Sequence, residues 1–421
     1  MTITVPYGKA SISAELSDDV RVTVVDPACE KPSGTVEELI EAALDSPIGT
    51  PRLEEMATKD SKVLIVVNDH TRPGPNKQIV SALLKRLHGA GVPSENIRFI
   101  CATGSHRAPT DAEMRSIVGD EVVDSYEIIM HDCRKSEDLV SFGETHGLEI
   151  VLNKAVTEAD LLITTGLIAP HHTAGFSGGR KSILPGITGL QTLKTHHSLP
   201  MRPYNPSMGI IEGNTFHDVA LAAAKLAGVK FILNAVQDVK KQNVLFVAGD
   251  LEQAHQAGMD ACREFNSVYL PALADVVVAS PGGYPRDSDL YQAQKGLSVE
   301  ELLVRQGGTM ILCANGELGI GEGLFPQWMK EGESPEAIIE RYRKEGFNVG
   351  NNKAFLYARA LLRGRVIIVS DKLDKDELDE MFLGWAPNLQ TALDQALAEY
   401  DDPLVTVLPR AVNMIPRVVG E

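Results

Sequence analysis

The sequence predicts an α/β protein of two domains, each built on a mainly parallel β-sheet flanked by helices. Short apolar runs rich in valine and isoleucine recur along the chain, and segments with the 3–4 spacing of helices separate many of them. This alternation favours parallel sheets, whose binding sites lie beyond the carboxyl ends of the strands. Because 421 residues exceed what one hydrophobic core usually fills, we expect two domains.

Eight apolar runs mark expected strands. They are residues 63–67, 97–101, 127–130, 161–165, 231–236, 276–279, 309–312 and 366–369. The N-terminal segment MTITVPYGKASISAEL also alternates as a strand does. A helix is predicted between the start signal Pro75-Asn76 and the stop signal Gly89, and others over residues 191–198 and 251–262. The glycine-rich residues 316–323 lack the strand–helix setting of a dinucleotide fingerprint and are predicted to be a loop.

The domain boundary is expected between residues 266 and 274, after one helix and before a new strand. This predicts an N-terminal domain over residues 1–270 and a C-terminal domain over residues 271–404. We expect the tail, residues 405–421, to return to the first domain.

The charge and cysteine content exclude several classes of protein. A formal net charge of -17 argues against a nucleic-acid or anionic-membrane surface, although a local basic pocket stays possible. The five cysteines are widely spaced with no C-x-x-C, which indicates neither a disulfide framework nor a thiolate zinc site. The N-terminus lacks a signal-peptide pattern, and no apolar run approaches the length of a membrane span. A reduced, cytoplasmic enzyme is the expected setting.

Polar residues follow the first two buried strands, where ligands gather in α/β folds. Asp69, Thr71 and Arg72 follow the strand at 63–67, and the Arg72 guanidinium suits a carboxylate ligand. His106 lies beside a glycine turn after the strand at 97–101, a position that suits an acid/base residue. Each set also fits an ordinary turn with surface side chains.

The segment from residue 169 to 198 carries the densest chemistry. The pairs His171-His172 and His196-His197 surround a glycine-rich stretch that leads into Arg180-Lys181-Ser182. Imidazoles offer metal ligands and acid/base groups near neutral pH, and backbone N–H groups released by glycines can surround a phosphate. Because Arg180 stands where the P-loop pattern requires glycine, ATP hydrolysis does not follow. The stretch is therefore a phosphate cradle or a tight structural turn.

No zinc-type spacing accompanies the histidine pairs, so a metal held by one histidine would take most ligands from elsewhere, such as a cofactor. Surface histidines are the alternative. In the second domain, residues 280–297 follow a strand and lead into a helix start that carries Tyr291, Gln292 and Lys295. Gln292 and Lys295 are three residues apart and share a helix face, from which they can reach a small hydroxy acid. A solvated polar helix face is the alternative.

Together these blocks resemble the nickel-dependent lactate racemase family over nearly the whole chain. The matching blocks, in the family's order, are DHTRP, ATGSHR, PHHTAGFSGGRKSILPGI with THHS, and GGYPRDSDLYQAQK. The resemblance implies an active site in the cleft between two α/β domains, the first binding the cofactor and the second closing over the substrate. It also implies a racemase or epimerase that inverts C2 of a 2-hydroxy acid by reversible hydride transfer.

The implied cofactor is a nickel-pincer nucleotide, a pyridinium-3-thioamide-5-thiocarboxylate mononucleotide with Ni(II), for which separate biosynthesis enzymes are the expected partners. Lys181 matches the lysine that tethers it, His197 the protein ligand of nickel, and His106 and His171 the acid/base pair. The other matching residues surround the cofactor (Asp69, Thr71, Ser177, Gly178, Gly179) or the substrate (Arg72, Tyr291, Gln292, Lys295).

Departures from the family pattern leave the substrate open. Thr173 follows His172 where the family's lactate enzymes carry bulky aromatics, and the second-domain helix reads RDSDLYQAQKGL rather than KDINLYQAQKAL. Lactate, malate or a longer 2-hydroxy acid is the expected substrate, and a sugar acid such as an aldonate is the alternative. A nucleotide-dependent phosphotransferase and a nickel-binding storage protein are alternatives of another class.

Overall fold

A computed structural model describes residues 1–25, 32–199, 207–412 and 414–419. They form two compact units. Residues 32–199 and 209–265 make the first, and residues 1–25, 207–208, 266–412 and 414–419 make the second. The fold is α/β with mainly parallel sheets, as the sequence predicts.

The described strands are β1 (Thr2–Tyr7), β2 (Ala10–Glu15), β3 (Arg21–Val24), β4 (Val63–Asn68), β5 (Ile97–Ala102), β6 (Glu127–Met130), β7 (Leu139–Thr145), β8 (Leu148–Asn153), β9 (Leu161–Ile168), β10 (Pro170–His171), β11 (Gly175–Phe176), β12 (Val229–Gln237), β13 (Asn243–Gly249), β14 (Ser267–Leu270), β15 (Ala274–Ala279), β16 (Val304–Cys313), β17 (Gly364–Val369), β18 (Gly384–Ala386), β19 (Leu404–Leu408) and β20 (Ile415–Val418). The described α-helices are α1 (Val36–Asp45), α2 (Leu53–Met56), α3 (Asn76–Gly89), α4 (Asp111–Val118), α5 (Asp120–Ser125), α6 (Leu190–Ser198), α7 (Thr215–Leu226), α8 (Gln253–Asn266), α9 (Leu290–Glu300), α10 (Leu324–Glu331), α11 (Pro335–Glu345), α12 (Asn351–Arg363), α13 (Lys375–Asp379) and α14 (Leu389–Leu397).

The first unit is built on a six-stranded sheet in the order β13-β12-β9-β4-β5-β6. All neighbouring pairs are parallel except β12 and β13. In β4, Val63, Ile65 and Val67 face a core shared with α1 and α3, whereas Leu64 and Val66 face a core shared with α7. A strand buried on both faces needs a continuous apolar run, which explains the sequence VLIVV.

Helix α3 shows how the sequence sets one of these faces. Its apolar residues recur at helical spacing, and Ile79, Val80, Leu83, Leu84 and Leu87 are all buried against the sheet. The helix begins after Pro75 and ends at Gly89, as the sequence predicts.

The second unit is built on a six-stranded parallel sheet in the order β18-β17-β16-β15-β19-β3. Ile3 and Val5 of β1 pack into its core together with Val276 and Val278 of β15. Helix α9 packs on β15 and β16, and helix α12 packs on β16 and β17.

Both ends of the described chain differ in placement from the sequence expectation. Residues 1–25, 405–412 and 414–419 lie in the second unit rather than with the first. There β3 pairs with β19, and β20 pairs with β14. Such pairings join segments far apart in sequence, and a four-residue strand such as β3 carries no local sign of its partner.

Within the described residues, no helix is both long and apolar enough to cross a membrane.

Candidate active site

The first part of the site is the turn after β4, and Asp69 is its centre. Asp69 is 2% exposed, and the Arg72 amide donates to its carbonyl at 3.2 Å, which closes the turn. The carboxylate oxygen Oδ1 accepts from the Thr71 hydroxyl at 2.6 Å and from the Thr71 amide at 3.1 Å. The sequence DHT therefore folds back on itself and holds the carboxylate in one orientation.

The second oxygen of Asp69 orients His106, which follows β5. His106 Nδ1 lies 2.7 Å from Asp69 Oδ2, and β4 and β5 are neighbours in the sheet. Because a carboxylate only accepts, Nδ1 carries a proton, and in the neutral ring Nε2 holds the lone pair. Burial raises the pKa of Asp69, but the hydrogen bonds from His106 and Thr71 outweigh it and keep that pKa below its usual value. In this orientation the neutral His106 ring can accept a proton through Nε2.

Arg72 extends the same turn. Its guanidinium Nη1 donates to the Thr71 hydroxyl at 2.9 Å and to the Thr71 carbonyl at 3.1 Å. The exposed guanidinium keeps further donors for an anionic ligand, which agrees with the expected carboxylate partner.

The third part lies on the short hairpin β10–β11, just after β9, and places His171. Its Nδ1 is 3.1 Å from the amide of Thr173 and 3.1 Å from the amide of Ala174. Its Nε2 is 2.9 Å from Lys181 Nζ. The ring stacks on His172 with centroids 4.8 Å apart. Burial, followed by the charge of Lys181, lowers the pKa of His171 well below its usual value.

Lys181 lies on a 3₁₀ turn, Gly179–Ser182, that follows the glycine-rich stretch. Burial, followed by the charges of Arg72 and Arg180, lowers the pKa of Lys181 far below its usual value. The amine also lies 5.8 Å from the ring centroid of Phe216 on α7. It is therefore an amine in a basic, partly apolar setting, where the uncharged form is favoured.

The glycines of this stretch serve close packing rather than an open phosphate cradle. A Cβ on Gly178 would lie 2.7 Å from Asn234 Oδ1, and one on Gly179 would lie 2.6 Å from His255. The Gly179 amide donates to Asn234 Oδ1, and the Ser177 amide donates to the Ala169 carbonyl. Since these amides already have acceptors, the tight-turn reading of the sequence fits better.

His197 lies on α6 and is held by its own helix. Its Nδ1 lies 2.9 Å from the Leu193 carbonyl, one turn earlier, so Nδ1 carries the proton and Nε2 carries the lone pair. Burial lowers the pKa of His197 to about 4, and the imidazole is neutral at pH 7, as a metal ligand must be. Among the described residues there is no cluster of three His, Cys, Asp or Glu that could hold a metal ion.

Several contacts that support this site could not be predicted from the sequence. His196 donates through Nε2 to the Phe216 carbonyl, and the Phe216 ring meets the His197 ring edge to face at 5.0 Å. Arg180 is wholly buried and donates to the Ala174 carbonyl, and burial lowers its pKa to about 9. The contacts of Phe216 join α6 to α7, and the contact of Arg180 joins the 3₁₀ turn to the hairpin before it. No local sequence motif predicts these contacts.

The second unit presents its own polar group on α9. Asp289 caps the helix by accepting from the Gln292 amide at 2.6 Å, and Lys295 Nζ donates to Gln292 Oε1 at 2.9 Å. The shared face predicted for Gln292 and Lys295 is therefore present. Beneath it lies Lys353 of α12, which sequence reasoning missed and whose Nζ is 5.0 Å from the centre of the Tyr291 ring.

Comparison with known proteins gives a consistent result. Residues 7–209 match the model of the lactate racemase N-terminal domain, and residues 271–416 match that of the lactate racemase C-terminal domain. The chain is 35% identical over 428 residues to lactate racemase of Lactiplantibacillus plantarum, covering 99% of each chain. It is 34% identical over 427 residues to lactate racemase of Thermoanaerobacterium thermosaccharolyticum, again covering 99% of each. The structure of that second enzyme's apoprotein superposes with a TM-score of 0.91, covering 99% of this chain and 100% of the other.

Proposed function

The chain belongs to the lactate racemase family and is an isomerase, and from that premise we propose that it inverts C2 of a 2-hydroxy acid by reversible hydride transfer. One observation carries the proposal. His106 and His171 project Nε2 atoms of opposite character, a lone pair on His106 and an N–H on His171. A racemase needs one group that takes a proton and another that gives one.

We propose that the cofactor is a nickel-pincer nucleotide tethered through Lys181, with His197 as the protein ligand of nickel. Three observations support this fit. Lys181 is a half-buried amine whose pKa is lowered by desolvation and by the charges of Arg72 and Arg180. His197 keeps its lone pair on Nε2. No described cluster supplies three metal ligands, so a bound group has to supply the rest. Ser177, Gly178 and Gly179 would contribute by turning the chain so that Lys181 faces His171.

When bound, this cofactor supplies an electron-poor ring carbon that accepts hydride. The chain's residues must then remove the hydroxyl proton, because an alkoxide releases hydride from C2 more readily than an alcohol does. His106 Nε2 can take that proton, and Asp69 stabilises the imidazolium that forms. Such a positioned base contributes about 10²–10⁴-fold to the rate.

His171 would serve the opposite face of the planar 2-keto acid. Its Nε2–H is a hydrogen-bond donor as it stands. Full proton exchange requires Nδ1 to carry a proton too, which the amides of Thr173 and Ala174 oppose in this ring position. We propose that the ring turns away from these amides once Lys181 no longer engages Nε2.

The substrate carboxylate is proposed to meet Arg72, whose fork-shaped guanidinium matches a planar anion. From the second unit, Tyr291, Gln292 and Lys295 are proposed to contact the substrate, since they share one face of α9.

The phosphotransferase alternative is weakened because the Ser177 and Gly179 amides already have acceptors. The storage-protein alternative is weakened because no described histidine cluster holds bare nickel. The sugar-acid alternative concerns only the substrate, and the assay below decides it.

The test uses protein produced together with the cofactor-building enzymes. D- and L-forms of lactate, malate, longer 2-hydroxy acids and aldonates are offered, and products are scored by chiral chromatography. We expect inversion of at least one simple 2-hydroxy acid, with deuterium placed at C2 retained in the product. Loss of that deuterium to solvent would mean proton abstraction and would refute hydride transfer.

A further inference from the structure

We infer that His171 has a second task, in the protein that has not yet received its cofactor: its Nε2–H holds the Lys181 side chain as an uncharged amine, ready to form the tether. The inference rests on the proposed function, which makes Lys181 the site of attachment. It concerns the cofactor-free chain, and it adds a step that precedes catalysis.

The argument begins with the proton on His171. Two backbone N–H groups, those of Thr173 and Ala174, both lie 3.1 Å from Nδ1. A backbone N–H only donates, so Nδ1 must accept and cannot carry a hydrogen. A neutral imidazole with an unprotonated Nδ1 carries its hydrogen on Nε2. The hairpin backbone therefore fixes the tautomer.

The consequence falls on Lys181. Its Nζ lies 2.9 Å from His171 Nε2, which is a hydrogen-bonding distance. Since Nε2 carries a hydrogen, Nζ must accept it, and only an uncharged amine has the lone pair to do so. An ammonium group here would bring two donors face to face.

The charges around the amine act in the same direction. Arg72 and Arg180 both disfavour a third positive charge at Nζ, and Arg180 is wholly buried one residue before Lys181. The Phe216 ring centroid lies 5.8 Å from Nζ, and His172 stacks on the ring of His171. Lys181 and His171 themselves are only half-buried, so a small reagent can reach them.

A free amine is what the attachment chemistry requires. Condensation of an amine with a thiocarboxylic acid forms a C–N bond, breaks a C–O bond and releases water. One amine hydrogen leaves with the oxygen, and no atom changes its oxidation level. The resulting thioamide nitrogen is a poor acceptor because its lone pair is delocalised. Attachment therefore releases the Nε2–H of His171, which becomes available to a substrate oxygen.

The test uses cofactor-free protein from a host without the cofactor-building enzymes. ¹⁵N NMR of the histidine rings should report an unprotonated Nδ1 and a protonated Nε2 for His171, assigned by comparison with the His171→Phe variant. The measurement itself is made on the wild-type protein. A His171 ring that carries its hydrogen on Nδ1 would overturn the inference.

Acetic anhydride in trace amount then reports the free amine, since it acetylates an uncharged lysine and releases acetate. Peptide mapping gives the rate at Lys181 between pH 6 and 10, relative to a free amine added as an internal standard. We expect Lys181 to react at pH 7 nearly as fast as at pH 9. In His171→Phe, which removes the donor but retains an apolar ring, the pH midpoint should rise by about one unit, a roughly tenfold loss of free amine below it. The rate at Lys353 provides the control and should be unchanged.

An identical pH profile in wild type and His171→Phe would refute the role of His171. Intact mass, followed over time during production with the cofactor-building enzymes, provides a second readout and should show slower attachment in the variant. If wild type never gains cofactor mass while the NMR and acetylation results hold, the proposed function fails, but the inference that His171 holds Lys181 uncharged still stands.

Discussion

Two lysines of lowered pKa, one in each unit, show how a partner decides the state of an amine. Lys353 on α12 is 5% exposed, and its Nζ donates to the amide oxygen of Gln294 at 2.9 Å. Lys181 meets an imidazole N–H instead. Burial lowers the pKa of both, that of Lys353 to about 7, with Lys295 adding to the effect.

The difference between them lies in the chemistry offered to the nitrogen. An amide oxygen and the face of the Tyr291 ring, 5.0 Å away, both tolerate a positive charge on Lys353. A ring N–H and two guanidinium groups do not tolerate one on Lys181. Burial with a neighbouring positive charge therefore brings the pKa of Lys353 near neutrality, whereas the N–H donor beside Lys181 also favours the uncharged, nucleophilic amine.

The largest expected effect separates the two lysines directly. Lys181→Ala should lose the covalent cofactor mass and with it all racemisation, because Lys181 is the amine that His171 holds uncharged. Intact-mass spectrometry and chiral assay measure both. Lys353→Ala is the matched control and should keep the adduct, and an adduct that persists in Lys181→Ala would mean that the tether is elsewhere.

The second-largest effect is expected at His106, the proposed base. His106→Ala should lower kcat by about 10²–10⁴-fold, the usual contribution of a positioned base. Cofactor attachment, which involves Lys181 and His171, should be unchanged by intact mass. His88→Gln is the control. His88 lies at the C-terminal end of α3, where its ring contacts the Tyr126 hydroxyl, and the variant should retain full activity. Wild-type rates in His106→Ala would assign the base to another residue.

A smaller effect is expected from the carboxylate behind His106. Asp69→Asn removes the negative charge that stabilises the imidazolium and weakens the orientation of His106 through Nδ1, so kcat should fall by about tenfold. Thermal unfolding is measured beside the kinetics. A loss of kcat that only follows a loss of stability would make Asp69 merely structural, and an unchanged kcat would refute its role.

The smallest effect concerns stability. The pKa of Lys353 is lowered to about 7 in the folded state, so between about pH 7 and the ordinary lysine pKa the unfolded chain binds more protons, and stability rises with pH. Lys353→Met should therefore raise the free energy of unfolding at pH 6–7 by about 1–3 kcal/mol, with a matching rise in Tm. This gain should shrink towards pH 10. Thermal unfolding across this range tests it, and a gain that is constant with pH would contradict it.

The fold and much of the site can be predicted because their signals are local. Strand-end positions predict Asp69 and His106, and helical spacing places Gln292 and Lys295 on one face. The proton on His171 is not predictable in this way, since it depends on where two amides point in a hairpin only a few residues long. The roles of Phe216 and Lys353 cannot be predicted locally either. Each contacts the polar residues of its own unit from a helix distant in sequence.

The glycine-rich stretch illustrates the same limit. Its sequence fits both an amide cradle and a tight turn, and only Asn234 and His255, from a later strand and helix, decide between them. In the second unit, β3 depends on β19 for its place, although neither strand carries a mark of the other.

The pairing of β3 with β19 has a consequence during protein synthesis. Every strand of the first unit's sheet is synthesised before β14, whereas β3 is synthesised long before its partner β19. The turn that carries Lys181 can therefore fold on a nascent chain, while β3 has no partner strand until β19 has been made. During that interval the exposed edges of β3 are open to pairing with other chains, which a chaperone would prevent.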